Sequence, residues 1–238
     1  DNDAFNFGAN PFTLEAWAKF NSVKDLDIVG QESGGGANIK WVFVYQNIDK
    51  TLRFEFYDQS LHLQQPIVLP WVPIVGKWYH LAIVRSGFSY SLFIDGGLAL
   101  TGTNTTPIPN VVGNLTLGAP DLEPNYFLNG LLDEVRLSNK ARSPQEFDLQ
   151  LPPMNLIATA NGTSINLSWQ NGGGAVGLLR YKIYRGIDST NVTLIDSTTS
   201  TSYSNAAAPV GRKYYYRVSA VDITGFEGAK SYSSSALV

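Results

Sequence analysis

The feature that most limits this chain is its punctuation: short β-rich runs, each closed by a turn signal, extend over most of its length. Residues 12–20, 39–46, 51–57, 78–85, 90–95, 115–117 and 128–138 are rich in branched and aromatic side chains. Asn47 to Lys50, Ser86-Gly87 and Asp95-Gly96-Gly97 separate several of these runs. That rhythm predicts an all-β chain built as sandwiches or barrels. One stretch breaks it. Residues 143–150 read as a helical turn, with Ser143 as its cap, Pro144 at the first helical position and Glu146 placed to reach back.

The 238 residues suffice for two ordinary domains. Leu151-Pro152-Pro153 marks the division, because two prolines stiffen the backbone and continue neither a helix nor a central strand. Beyond it the composition shifts toward Ser, Thr and Tyr, and a second series of strands runs from Asn155 to about Leu237. The expected domains are therefore 1–150 and 151–238.

Composition removes several function classes. The net charge is −3 with no basic block, so the chain lacks the electrostatic footprint of a nucleic-acid or anionic-membrane binder. No apolar run approaches the ~20 residues of a spanning helix, which argues against membrane insertion. The absence of cysteine removes disulfides, zinc–thiolate sites and thiol nucleophiles together. The only methionine is Met154, so the chain reads as a fragment or processed product that carries no signal peptide. Gly34-Gly35-Gly36 and Gly172-Gly173-Gly174 lack the Lys-Ser/Thr of a phosphate loop, and no G-x-S-x-G elbow occurs. Of the two histidines, His80 reads as a structural ring inside a strand and His62 as a surface residue.

Five short motifs in order carry a resemblance over the first part. They are Phe12-Thr13-Leu14-Glu15-Ala16-Trp17, the run Gly76-Lys77-Trp78-Tyr79-His80-Leu81-Ala82-Ile83-Val84, then Leu92-Phe93-Ile94-Asp95-Gly96, Leu115-Thr116-Leu117-Gly118-Ala119 and the run from Phe127 to Leu137. Together they resemble the laminin-G-like jelly rolls of the concanavalin A-like lectin and glucanase superfamily. That family has a further strand before the opening motif, where this chain offers only residues 1–7. In the second part, Ile165-Asn166-Leu167-Ser168-Trp169, Tyr181-Lys182-Ile183-Tyr184-Arg185 and the run from Tyr214 to Asp222 resemble strands B, C and F of a fibronectin type III domain. The resemblance implies an immunoglobulin-like sandwich there, with Tyr214 in the tyrosine corner.

Jelly rolls also host glycosidases, whose two carboxylates must flank one sugar bond. The related glucanases set theirs on one strand, two or more residues apart. Here the comparable run is Asp133-Glu134, and adjacent strand residues face opposite sides of a sheet. Glu55 and Asp58, three apart, also face opposite sides unless a bulge intervenes. The expectation is that no residue is catalytic. Alternation groups Leu131, Asp133, Val135 and Leu137 on one face and Leu132, Glu134 and Arg136 on the other, leaving Asp133 among apolar neighbours. An acid so placed needs a partner. The resemblance implies calcium, with Asp1 and Asp3 as further ligands; the alternative is a set of backbone N–H groups from a neighbouring loop. Glu15, Glu134 and Arg136 read as structural charges paired across the sheet.

Aromatic residues supply the binding candidates. Trp17, Trp78 and Trp169 fall within family motifs and read as core, and Trp41 suits either a core or a groove wall. Trp71 sits among Pro66, Pro70 and Pro73, where it is either a stacking platform for a sugar or a cover for the sandwich edge or for the second domain. Tyr57 and Tyr126 join it, with Gln64, Gln65 and Asn125 nearby in sequence to donate and accept hydrogen bonds. The expected partner is a carbohydrate, or a surface protein if the chain serves as an assembly module, in an extracellular or cell-surface setting. Asn104, Asn114, Asn161, Asn166 and Asn191 lie in Asn-X-Ser/Thr sequons, which imply surface positions wherever they are glycosylated.

Overall fold

The computed structural model describes residues 5–32, 38–120, 124–147, 149–174, 177–206, 210–223 and 225–238. Internal contacts divide the chain into two compact units, Asp1–Phe147 and Asp148–Val238. The division falls three residues before Leu151. Leu151 is buried and its N–H donates to the Gly173 carbonyl (3.1 Å), while Gln150 bridges to Gly174, so the residues ahead of the two prolines are built into the second unit.

The first unit holds β1 (Phe12–Phe20), β2 (Leu26–Glu32), β3 (Lys40–Gln46), β4 (Thr51–Tyr57), β5 (Leu63–Pro70), β6 (Trp78–Ser86), β7 (Ser89–Ile94), β8 (Gly97–Thr103), β9 (Leu115–Leu117) and β10 (Gly130–Ser138). They form two antiparallel five-stranded sheets, ordered β10-β1-β6-β7-β8 and β5-β4-β3-β2-β9. Period-2 alternation aims Phe12, Leu14, Ala16, Ala18 and Phe20 of β1 into the core. Leu81 and Ile83 join them from β6, and Trp41, Phe43, Tyr45, Leu52, Phe54 and Phe56 come from the opposing sheet. Trp41 is thereby a core residue, and its indole N–H donates to Gln31 (3.1 Å). Ahead of β1, the described residues make one bridge, Gly8 to Ile108, rather than a full strand, while Phe7 stacks on Phe12 at 4.3 Å.

The outer face of the first sheet is also covered. Phe147, at the end of a single 3-10 turn (Pro144–Glu146), lies 5.4 Å from the His80 ring and 5.1 Å from Phe93. Beneath it Glu15 is buried but fully partnered. Its Oε1 accepts from Arg136 Nε at 2.7 Å, and its Oε2 lies 3.1 Å from His80 Nε2. Arg136 also donates to the Glu146 carbonyl (2.9 Å), so one guanidinium fastens the closing turn to β1. Glu15 and Arg136 are thus paired across the sheet. His80 is completely buried, whereas His62 is exposed beside Asp58.

The ladder between β1 and β10 contains a bulge that overturns the alternation expected for residues 131–137. Glu15 faces Arg136 but Trp17 faces Asp133, so both Glu134 and Val135 stand opposite Ala16. Glu134 takes a left-handed backbone, φ +47°, to allow it. The extra residue resets the phase: Leu132, Val135 and Leu137 pack on the core, while Leu131 and Asp133 are exposed. Asp133 is therefore not an acid among apolar neighbours.

The second unit comprises β11 (Met154–Asn161), β12 (Ser164–Gln170), β13 (Leu178–Gly186), β14 (Thr193–Thr198), β15 (Ser202–Asn205), β16 (Lys213–Asp222), β17 (Glu227–Lys230) and β18 (Ser234–Leu237). The sheet β11-β12-β15 faces the sheet β14-β13-β16-β17, and β18 also pairs with β16, giving the type III sandwich. Ile165, Leu167 and Trp169 alternate inward against Tyr181, Ile183, Tyr214, Tyr216 and Val218. The tied tyrosine is not the expected one. Tyr216, fully buried, accepts a hydrogen bond from Asn205 Nδ2 (2.8 Å), whereas Tyr214 lies beneath the Arg185 guanidinium at 4.9 Å. Asn205 ends β15 within reach of Tyr216, so a buried side chain provides the tie.

Candidate functional site

The six residues expected to bind together occupy separate places. Trp71 follows β5 at the end where Thr51 pairs with Pro70, and Tyr57 lies at the opposite end, where it pairs with Leu63. Six strand residues span roughly 20 Å, so one small sugar does not touch both. Trp71 is half-buried, with its ring edge-on to Tyr79 at 5.0 Å and to Phe20 at 6.0 Å. Those contacts make it a cover for the sandwich edge. Gln64 is committed to internal bonds, donating to Asp58 (3.1 Å) and accepting from Asn104 (3.0 Å). The Asp58 carboxyl is itself held below its usual range, chiefly by the backbone N–H of His62.

Tyr57 and Gln65 do share a region, the outer face of β4 and β5. Lys40 lies 5.8 Å from the Tyr57 ring, and Gln65 Nε2 donates to Glu55 Oε2 at 2.7 Å. Around them Arg53 is paired with Asp49 and approaches Glu55 (3.7 Å), and Lys40 approaches Glu32 (3.9 Å). The face is a lattice of mutually satisfied charges. Asn125 and Tyr126 lie in a short 3-10 turn (Pro124–Tyr126) beside β2, apart from both groups.

Asp133 Oδ1 accepts the N–H of Glu134 (2.9 Å), its own neighbour rather than a distant loop. Asp1 and Asp3 lie outside the described residues. Among the described residues no three His, Cys, Asp or Glu side chains gather as a metal site. Burial first, and the Asp133 charge second, push the Glu134 carboxyl above its ordinary range.

A well-formed concavity lies elsewhere. A cleft of about 440 Å³ opens between residues 5–11 and 137–142, within the size range of small-ligand sites. Both of its walls are pinned to the first sheet. Arg85, fully buried on β6, donates through Nη1 to the Gly8 carbonyl (2.5 Å). On the other side Thr13 Oγ1 donates to the Lys140 carbonyl (2.8 Å) and accepts the Arg142 N–H (2.9 Å). The cations here are already compensated: Lys140 Nζ lies 2.5 Å from Glu146 Oε1, and Arg142 donates to Ser138 Oγ (2.8 Å) 3.8 Å from Glu15. Asn6, Asn10 and Asn139 face the cleft with exposed side chains whose carboxamides make no hydrogen bond among the described residues, beside the half-buried Phe5 ring. Each carboxamide offers both donors and an acceptor. No carboxylate lines the cleft among the described residues. Sequence reasoning missed this site because its walls are some 130 positions apart and carry no local motif.

Comparison with known proteins fits this architecture. A model of the concanavalin A-like lectin/glucanases superfamily matches residues 2–147. An amylopullulanase of Thermoanaerobacterium saccharolyticum is 33% identical over 93 residues, which are 37% of this chain and only 7% of that enzyme. Among solved structures, an Fn3-like protein from Clostridium thermocellum is 32% identical with a TM-score of 0.33, covering 37% of this chain and 91% of that one. Domain 4 of AbnA, an extracellular GH43 arabinanase from Geobacillus stearothermophilus in complex with arabinotriose, is 21% identical with a TM-score of 0.48, covering 58% and 65%. By the match over residues 2–147, more than half its length, the chain belongs to the concanavalin A-like lectin/glucanases superfamily.

Proposed function

We propose that this chain is a non-catalytic carbohydrate-binding piece of a larger extracellular protein, and that its first unit holds a neutral sugar in the cleft between residues 5–11 and 137–142. The observation that carries this reading is the convergence of three carboxamides unpaired among the described residues, Asn6, Asn10 and Asn139, on a cleft whose cations are internally neutralised. Carboxamides match vicinal hydroxyls, which also donate and accept, and Phe5 offers an apolar surface for a ring face. Membership of a superfamily of lectins and glucanases supports the ligand class, and the short match to an amylopullulanase supports the setting of an appended piece. The cleft's lack of an acid among the described residues supports binding without hydrolysis, since glycosidases need two carboxylates at the bond.

A glycan array tests this. Asn139→Ala and Asn6→Ala are expected to lose binding to neutral glycans with an unchanged melt, and Trp71→Ala to lower stability by about 2 kcal/mol with binding intact. Sugar release that disappears in Glu134→Gln would replace the reading with a hydrolase. A second reading, docking of a protein, draws on one apolar end of the first unit. Ile48 is 88% exposed, Ile74 67%, Val72 56% and Val75 54%, the last three nearly consecutive. Binding lost in Ile48→Ser/Ile74→Ser but kept in the asparagine variants would favour it.

A further inference from the structure

We infer that the outer face of the sheet β14-β13-β16-β17 in the second unit is a binding surface for an acidic polysaccharide. Charge divides unequally between the units. Asp1–Phe147 carries ten Lys and Arg against fifteen Asp and Glu, whereas Asp148–Val238 carries seven against five. The second unit's cations also cluster. Arg180 and Lys182 alternate with the core residues Tyr181 and Ile183, which puts them on the face away from the core. Lys213, Tyr215 and Arg217 do the same on β16, between the core residues Tyr214, Tyr216 and Val218. Register completes the patch, because Lys182 stands opposite Ser219 and Ser219 opposite Lys230.

Five cations therefore share this face with one nearby acid, and that acid is taken. Glu227 accepts from Lys182 Nζ (2.5 Å), from Ser219 Oγ (2.6 Å) and from the Tyr184 hydroxyl. Burial raises the Glu227 carboxyl, but those three hydrogen bonds outweigh it and hold it below its ordinary range, so it stays charged. Arg180, Lys213, Arg217 and Lys230 have no carboxylate within 4 Å among the described residues. Arg180, Lys213 and Lys230 are exposed. Lys230 lies 4.4 Å from the Tyr184 ring and Lys213 5.1 Å from Tyr215, so aromatic and cationic groups alternate across the surface.

From Lys213 to Arg217 the β16 row spans about 13 Å, the scale of a few sugar residues in line. Uncompensated cations with rings between them suit a linear polyanion built of sugar rings: carboxylates meet the cations and ring faces meet Tyr215. The choice of a polysaccharide over an acidic protein rests on the carbohydrate reading of the first unit.

The test is affinity electrophoresis of the whole chain in gels containing polygalacturonate, a neutral galactan or polyglutamate, with anionic vesicles assayed by flotation. Retardation by polygalacturonate alone is expected. It should weaken at least about tenfold in roughly 0.5 M salt and in Arg180→Glu/Lys230→Glu, and by less in Arg180→Gln/Lys230→Gln, which guards against misfolding of the first variant. Asn139→Ala should leave it unchanged, which separates this surface from the cleft. Equal retardation by polyglutamate, equal binding to vesicles, no retardation by polygalacturonate, or retardation unchanged in both double variants would each overturn the inference. Neutral glycan binding lost in Asn139→Ala but retained in the charge variants would leave the first unit's reading standing in every one of those cases.

Discussion

The two sandwiches treat buried polarity in opposite ways. The first unit buries charge: Glu15 is enclosed with His80 and Arg136 beneath Phe147, and Arg85 is fully buried against the Gly8 carbonyl. The second encloses one carboxylate, Asp222, but sets five of its cations on one sheet face and closes its core with a neutral pair, Asn205 and Tyr216. A buried ion pair is costly to break and fixes geometry more than it adds stability. Here it fastens the closing turn to β1, while Arg85 and Thr13 hold the two walls of the cleft. The lesson is that the first unit uses its interior to position a surface site, whereas the second uses its interior only to fold.

That contrast can be broken by substitution. The largest effect is expected from Arg136→Ala, which leaves Glu15 enclosed with a single short contact and releases the Glu146 carbonyl. A loss of roughly 3–5 kcal/mol confined to the first unit's calorimetric transition is expected. A loss shared equally by both transitions would contradict the assignment of the network to one unit. Tyr216→Phe should cost less, about 1–2 kcal/mol, since it strands a neutral amide rather than a charge. It should move only the second unit's transition.

Acid titration sharpens the comparison further. Hydrogen bonding from Lys140, then from the Ser143 N–H, lowers the Glu146 carboxyl from its ordinary 4.5 to about 2. A carboxyl lowered by folding contributes stability that is complete above its unfolded value and lost as pH falls through its folded one. The closing turn should therefore weaken between about pH 4.5 and pH 2, and Glu146→Gln should flatten the first unit's melting temperature over that window. Asp188 in the second unit, lowered from its ordinary 3.8 to about 2 chiefly by the Asn191 backbone N–H, gives that unit its own dependence between those values, removable by Asp188→Asn. The smallest effect concerns metal. Chelation should leave both transitions in place, because Asp133 is exposed and unaccompanied among the described residues. A fall of several degrees would reinstate a calcium site.

The same contrast explains what the sequence made legible. In the second unit inward and outward residues alternate cleanly along Ile165, Leu167 and Trp169 and along Tyr214, Tyr216 and Val218, so period and fold agree. In the first unit the motifs identified the strands, but the phase within β10 was hidden. Whether a strand carries an extra residue depends on its partner, and nothing in residues 131–137 announces that Glu134 adopts φ +47°. One bulge moved Asp133 from the core face to solvent, so burial gives it no need of a partner. Trp71 was ambiguous for a related reason. Its prolines signalled a rigid edge, but only the partner strands reveal that Phe20, Tyr45 and Tyr79 enclose it. The cleft was illegible because Asn6, Asn10 and Asn139 acquire a shared role only once β1 and β10 bring the two ends of the unit together.

The most direct test of the central claim is a titration of the full chain with a neutral oligosaccharide selected on the glycan array, compared with Asn6→Ala, Asn139→Ala and their double variant. Each carboxamide is worth about 1 kcal/mol of hydrogen bonding, so affinity should fall roughly fivefold per substitution while both melting transitions stay put. Undiminished affinity in the double variant would show that the sugar binds elsewhere and contradict the account.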